Sequence, residues 1–91
     1  MQDRLDTRGI RMKFRDDLIK FICEDAGLDA ADFDDNTELF SGGFIDSFTM
    51  ASILEFIEEA VGVEVAQSDV TLENFDTVAR IVAFVEKQRV G

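Results

Sequence analysis

The sequence predicts an all-α fold, a small bundle of three main helices plus one short helix, with a long loop between helices one and two. Apolar residues recur at helical spacing in three separate segments. Gly27 and Gly62 follow the first two of these segments, where a helix commonly ends. The alternation of Val63 and Val65 has no second strand to pair with, so it predicts an extended loop.

A chain of 91 residues has the length of one domain. Residues 1–9 carry mixed charges without an apolar period, so they are expected to form a loose N-terminal tail. Residues 10–91 are expected to form the single folded domain.

The first helix is predicted to start at about Ile10 or Met12 and to stop at Gly27. Its apolar side chains are Phe14, Leu18, Phe21 and Ile22. The lone Cys23 is expected to pack as a small apolar side chain on this helix. The acidic connection from Leu28 to Gly43 is expected to be held down by Phe33, Leu39 and Phe40, with Phe44 and Ile45 following.

The acidic loop has some features of a calcium site. Taking Asp32 as the first ligand puts Asp34 and Asn36 in place. However, the sixth position is Thr37 and the twelfth is Gly43, where an EF-hand needs Gly and a bidentate Glu. An EF-hand is therefore rejected and no metal site is expected, although weak divalent binding and a metal-dependent regulator remain open alternatives.

The second helix is predicted to run from Ser47 to about Val61. Asp46 is the better placed N-cap, which puts Ser47 at the first helical position with a spare hydroxyl. Ile45 and Met50 form a plausible hydrophobic staple across this cap. The side chains predicted to face the core are Met50, Ile53, Leu54, Ile57 and Val61, and those predicted to face outward are Phe48, Ser52, Glu55 and Glu59.

Beyond Gly62, Ser68-Asp69 is expected to cap a brief turn from Thr71 to Phe75, and Asp76 is expected to cap the last helix. The apolar face of that helix is Val78, Ile81, Val82 and Val85. The predicted core is Phe14, Leu18, Phe21, Ile22, Ile53, Leu54, Ile57, Ile81, Val82 and Val85. Phe56 is expected to contact the long loop from the flank of the second helix.

The net charge of −11 is unevenly distributed. No basic residue lies between Lys20 and Arg80, whereas fifteen acidic residues lie from Glu24 to Asp76. Such a field repels nucleic acid and anionic lipid and attracts basic protein surfaces. The same charges would also serve simply as a solubilising surface.

Catalysis is not expected. The chain has no His, and Ser47 has no Lys nearby in sequence to activate it as a nucleophile. No apolar run approaches the ~20 residues of a membrane span, and the charged N-terminus is unlike a secretory signal. We therefore expect a cytoplasmic protein with no membrane insertion. We also expect a monomer.

The stretch Gly43-Phe44-Ile45-Asp46-Ser47-Phe48, with the helix that follows it, resembles the motif of acyl and peptidyl carrier proteins. In that family a Gly-x-x-Asp-Ser-Leu pattern opens the second helix, and a transferase attaches 4′-phosphopantetheine from coenzyme A to the Ser. The resemblance covers roughly residues 12–88. It departs at Phe48, where Leu is commonest, and at Thr49 and Ser52, where the fatty-acid carriers often have acidic residues.

The resemblance implies that Ser47 bears the arm and that the protein shuttles acyl or aminoacyl thioesters between enzymes. The departures favour a specialised acyl, aminoacyl or secondary-metabolite pathway. The implied partners are a phosphopantetheinyl transferase, an acyl- or aminoacyl-loading ligase, and downstream acyl-transfer enzymes with basic surfaces. The expected recognition residues are Asp46, Phe48, Ser52, Glu55, Glu58 and Glu59. The alternative is an acidic helical interaction module with no covalent cofactor.

Overall fold

The computed structural model describes the backbone of residues 7–62 and 64–90 and the side chains of residues 12–62 and 64–88. Its helices are α1 (Thr7–Ala26), α2 (Ser47–Val61), α3 (Leu72–Phe75) and α4 (Val78–Val90). Short 3₁₀ turns lie at Ala30–Asp32 and Gln67–Asp69. The described backbone contains no strand, and the predicted all-α fold is confirmed.

The helix ends follow the local signals closely. α1 begins at Thr7, before the predicted start at Ile10 or Met12, so residues 7–9 are helical and the prediction of a loose tail is wrong for them. Residues 1–6 of the predicted tail lie outside the described residues. Gly27 and Gly62 end α1 and α2 with φ angles of +70° and +75°. A side chain with Cβ rarely adopts this left-handed conformation, which explains the glycine at both helix ends.

The core lies where α1, α2 and α4 pack together, with α3 packed against α4. Eight of the ten predicted core residues are buried, and Phe21 and Leu54 are partly buried against them. The core also takes in Phe33, Leu39 and Ile45 from the connection between α1 and α2. No helix in the described part of the chain is both long enough and apolar enough to cross a membrane.

Phe56 packs against α1 from the flank of α2, and its predicted contact with the long loop stays a prediction. Its ring stacks on Phe21 with centroids 4.8 Å apart and on Phe14 with centroids 6.0 Å apart. Position 56 follows the buried Ile53 by three residues and therefore lies on the same side of α2. The three stacked rings form one flank of the α1–α2 interface.

Cys23 is half-buried on α1 and packs against the core, in agreement with its predicted apolar role. Burial raises the pKa of its thiol, and the negative charges of Asp29 and Asp32 act in the same direction. The thiol is therefore less acidic than an ordinary cysteine and is a poor nucleophile.

The first half of the long connection is tied to two helices through Asp35. Arg15 of α1 donates to both Asp35 carboxylate oxygens, from Nε at 2.6 Å and from Nη2 at 2.7 Å. The carbonyl oxygen of Asp35 accepts from the N–H of Ala79 in α4 at 2.9 Å. Asp35 thus links α1 to the first turn of α4.

Thr77, and not Asp76, caps α4. The Thr77 hydroxyl oxygen accepts from the N–H of Arg80 at 3.0 Å, the usual geometry of an N-cap. Asp76 forms the end of α3, where its N–H donates to the carbonyl of Leu72 and its backbone is α-helical. An N-cap needs extended backbone, so the predicted role of Asp76 is incompatible with its place in α3.

The predicted cap of the brief turn is also wrong. Ser68 and Asp69 lie in the preceding 3₁₀ turn, and the residue before α3 is Thr71, whose side chain makes no capping hydrogen bond. Because α3 has only four residues, its packing against α4 matters more than its cap.

Replacing the α4 cap should destabilise the fold. Thr77→Ala is expected to lower the free energy of unfolding by about 1 kcal/mol relative to Thr77→Ser, because only serine keeps the capping hydroxyl. Both substitutions remove the same buried methyl group, so their difference isolates the cap. Urea denaturation followed by circular dichroism measures it, and equal midpoints for the two variants would show that Thr77 is not the cap.

Candidate functional site

Ser47 is the first residue of α2, at the corner between the long connection and the helix. The preceding residue, Asp46, has extended backbone, and its Oδ1 accepts from the N–H of Thr49 at 3.0 Å. The predicted cap is therefore confirmed. Ser47 is exposed, and its hydroxyl makes no hydrogen bond to any residue that the structure describes.

The chain reaches this corner with buried residues on both sides of the cap. Ile45 and Met50 are 7% and 9% exposed, as expected of a hydrophobic staple. Thr49 is also buried, which the sequence pattern did not indicate. On the rest of the predicted core face, Ile53 and Ile57 are buried, while Leu54 and Val61 are half-buried.

The outward face of α2 carries most of the predicted recognition residues. Phe48 is 83% exposed, and Glu55 and Glu59 are also exposed. Ser52 is only half-buried rather than fully outward. Glu58 differs from the other two glutamates, because its Oε2 accepts from the N–H of Val65 at 3.0 Å and so holds the chain that follows α2.

The segment Leu39–Ile45, here called the pre-helix turn, folds back on itself before Asp46. The carbonyl oxygen of Leu39 accepts from the N–H groups of both Phe44 and Ile45, at 2.8 and 3.1 Å. Gly43 has a φ of +85°, and a Cβ on Gly42 would collide with the carbonyl oxygen of Glu38. The turn thus needs both glycines, one for positive φ and one for close backbone approach.

Asp76, which is distant in sequence, holds the pre-helix turn through direct hydrogen bonds. Its side chain is 2% exposed and accepts from the N–H of Phe40 at 2.9 Å, the N–H of Ser41 at 3.0 Å and the hydroxyl of Ser41 at 2.6 Å. Its backbone carbonyl accepts from the N–H of Leu39 at 2.7 Å. Sequence reasoning missed this role. The signal for it was that Asp76 and Thr77 can both cap a helix, whereas α4 needs only one cap, so one of the two side chains is left for another contact.

The ionisation of Asp76 follows from these contacts. Burial alone acts to raise the pKa of the carboxyl group, but the hydrogen bonds from Ser41 and Phe40 and the charge of Arg80 act against it. The balance leaves the pKa below its ordinary value. A buried carboxylate that accepts several hydrogen bonds is stabilised in its charged form.

Two further aromatic rings near Ser47 are exposed. Phe40 and Phe44, both expected to anchor the loop, are each 37% exposed, whereas Phe33, Leu39 and Ile45 supply the buried contacts. Phe40 and Phe44 come from the pre-helix turn and Phe48 from the first turn of α2. Two partly exposed aromatic side chains thus precede Ser47 in sequence, and a largely exposed one follows it.

The corner is suited to a phosphate ester on the Ser47 hydroxyl. The N–H groups of Ser47 and Phe48 have no partner among the described residues, because the cap uses only that of Thr49. Such groups at a helix N-terminus favour a negative charge. The carboxylate of Asp46 opposes this, so the stabilisation is at the low end of about 0.3–1 kcal/mol.

Two comparisons with known proteins bear on this site. The sequence family described as a phosphopantetheine attachment site matches residues 16–85. The D-alanyl carrier protein of Staphylococcus saprophyticus is 32% identical over 78 residues, which cover 86% of this chain and 100% of that protein. Both matches span α2 and the pre-helix turn, and most of the bundle around them.

The ionisation of Asp76 should make the stability of the fold depend on pH in the acidic range. Its pKa is lower in the folded protein than the ordinary value of about 3.9 in an unfolded chain. The stabilisation is therefore complete above that ordinary value and is lost as the pH falls through the folded-state pKa. We expect the stability difference between wild type and Asp76→Asn to shrink as the pH is lowered below about 4.

Urea unfolding at a series of pH values measures this difference. Subtracting the variant from the wild type removes the contribution of the other carboxylates, which both proteins share. Ser41→Ala removes one of the hydrogen bonds to Asp76. The difference in stability between wild type and Ser41→Ala should also shrink as the pH falls, but by less than for Asp76→Asn. A difference that stays constant from neutral pH to pH 2 would contradict the assignment.

Proposed function

Because this chain belongs to the family of proteins that carry a phosphopantetheine attachment site, we propose that Ser47 is the residue to which the arm is attached. The chain is a carrier protein and not an enzyme. Its cofactor, 4′-phosphopantetheine, holds an acyl or aminoacyl group as a thioester while the protein moves between enzymes. The chain itself supplies the attachment point and the surface that partners bind.

The observation that carries the proposal is the exposed, unbonded hydroxyl of Ser47 at the start of α2. The chain has four serines. Ser41 donates its hydroxyl to Asp76, and Ser52 is half-buried within α2. Ser68 is exposed, but it lies in the middle of a three-residue 3₁₀ turn. Only Ser47 combines a free hydroxyl with the unpaired N–H groups of a full helix.

We further propose that the cargo is an aminoacyl group. The D-alanyl carrier protein of S. saprophyticus, which this chain matches over that protein's full length, supports this assignment. The departures from the fatty-acid carrier pattern at Phe48, Thr49 and Ser52 point the same way. D-alanine is accordingly the first candidate to test.

The partners are a phosphopantetheinyl transferase and the enzymes that load and unload the arm. We propose that they bind the outward face of α2 through Asp46, Phe48, Ser52, Glu55, Glu58 and Glu59. Phe48 offers an apolar anchor, and Glu55 and Glu59 offer exposed charge to basic residues. Glu58 contributes less because it is bonded to Val65. We add Phe40 and Phe44, whose partial exposure extends this surface beyond Ser47.

The alternative is an acidic interaction module in which Ser47 has only a structural role. It differs from the carrier in one testable respect, since it predicts that Ser47→Ala keeps full function. A cytoplasmic location, a monomeric state and a domain over residues 10–91 remain predictions from the sequence.

Modification of Ser47 is tested directly by mass. Incubation of the purified protein with coenzyme A and a broad-specificity phosphopantetheinyl transferase should add the mass of one arm to wild type and to Ser52→Ala. Ser47→Ala should gain nothing, because its hydroxyl is absent. No gain on wild type, or an equal gain on Ser47→Ala, would reject the proposal.

The modified protein from that experiment also distinguishes the cargo classes. It can be offered to a D-alanine-activating ligase with ATP and, in parallel, to a fatty-acyl ligase. We expect faster loading with D-alanine, seen as a second mass increase that hydroxylamine reverses. Faster loading with the fatty acid would reject the aminoacyl cargo while leaving Ser47 as the attachment residue.

The recognition surface is tested by the kinetics of the same transferase. Phe48→Ala should raise KM by about fivefold or more, because loss of an anchor residue costs more than about 1 kcal/mol. Glu55→Lys should raise KM by about fivefold or less, since exposed ion pairs are worth about 0–1 kcal/mol. The control is Glu24→Lys on α1, which makes the same charge change on an exposed residue outside the proposed surface. An unchanged KM for Phe48→Ala, or equal effects of Glu24→Lys and Glu55→Lys, would contradict the surface.

A further inference from the structure

The Asp76 side chain bonds to the pre-helix turn and not to α3 or α4, the helices on either side of it. α4 is capped by Thr77, and α3 ends on the backbone N–H of Asp76. All three hydrogen bonds to the carboxylate come from Phe40 and Ser41, which are 36 and 35 residues away in sequence. A buried carboxylate is costly to keep unless it is well paired, so these bonds fix the pre-helix turn against the α3–α4 junction.

The constraint continues from Asp76 to Ser47 through backbone groups. Leu39 is fully buried, and its N–H donates to the carbonyl of Asp76. The carbonyl of Leu39 in turn accepts from the N–H of Ile45, the residue directly before the Asp46 cap. Leu39, the first residue of the pre-helix turn, is thus bonded both to Asp76 and to Ile45, the last residue of the turn. Ser47 lies two residues after Ile45.

The exposed rings on the turn depend on the same contacts. The N–H of Phe40 is bonded to Asp76 and that of Phe44 to Leu39. Their side chains are partly exposed, although nearby Leu39 and Ile45 are buried. A turn released from Asp76 would leave the positions of both rings and of the α2 start less well defined.

We propose that Asp76 is a positioning residue for Ser47, acting through the pre-helix turn to hold the serine hydroxyl where a transferase can react with it. This inference rests on the proposed attachment at Ser47. Asp76 does not touch the arm or the reacting atoms. Its contribution is to the geometry of the corner, and a small displacement of a reacting group is costly to rate.

The experiment measures transferase kinetics for Asp76→Ala, which removes all three hydrogen bonds to the turn, with Thr77→Ala as the matched control. The two substitutions are adjacent and equally buried, but Thr77 holds α4 rather than the turn. At a temperature where circular dichroism shows both variants folded, Asp76→Ala should lower kcat/KM by about tenfold to a hundredfold. The loss should fall mainly on kcat, whereas Phe48→Ala acts on KM. Thr77→Ala should leave both constants unchanged.

Amide hydrogen exchange supplies an independent readout. Asp76→Ala should reduce the protection of the Phe40 and Ser41 amides while α1 keeps its protection, and Thr77→Ala should leave both amides as in wild type. If Asp76→Ala does not fold, Ser41→Ala serves instead and should give a smaller fall in kcat and a smaller loss of protection at the same amides.

Wild-type kinetics in a folded Asp76→Ala, or in Ser41→Ala if that variant is needed, would overturn the role of Asp76 and leave the attachment at Ser47 intact. An equal loss of kcat in Thr77→Ala would also overturn it, because general destabilisation would then explain both. A wild-type protein that accepts no arm would overturn the attachment proposal first, and this one with it.

Discussion

The buried carboxylate of Asp76 is the contact on which the arrangement around Ser47 depends. The connection between α1 and α2 runs from residue 27 to residue 46 and contains only one 3₁₀ turn, so it has little secondary structure of its own to define it. Two aspartates fix it instead. Asp35 ties its first half to α1 and α4, and Asp76 ties its second half to the α3–α4 junction. The start of α2 is thereby set by tertiary contacts as well as by its own cap.

This construction suits a carrier protein. The proposed attachment corner is held in place by the burial of Leu39 and by the Asp46 cap of α2, while the cargo would travel on a flexible arm outside it. The surface proposed for partners is exposed and acidic, with a few aromatic side chains among the charges. Each exposed ion pair is weak by itself, which would let the carrier leave one enzyme and meet the next.

The local features of the site were predictable from sequence, and the tertiary ones were not. The limits of α2, the Asp46 cap and the exposure of Phe48 depend on residues within one or two helical turns, where spacing and capping rules apply. Asp76 fits the sequence pattern of a helix cap, and only the fold shows that it bonds to residues 40 and 41. For the same reason, the stacking of Phe56 on α1 and the partial exposure of Phe40 were not predicted. An apolar residue signals that it can be buried, but not which neighbour will cover it.

The most direct test of the account is to locate the arm on the modified chain. Trypsin cannot do this, because no Lys or Arg lies between Lys20 and Arg80 and all four serines fall on one fragment. Cleavage after Phe44 and Phe48 by chymotrypsin isolates residues 45–48, which contain Ser47 as their only serine. We predict that tandem mass spectrometry will find the arm on this peptide. An arm on a fragment containing Ser41, Ser52 or Ser68 instead would contradict the account.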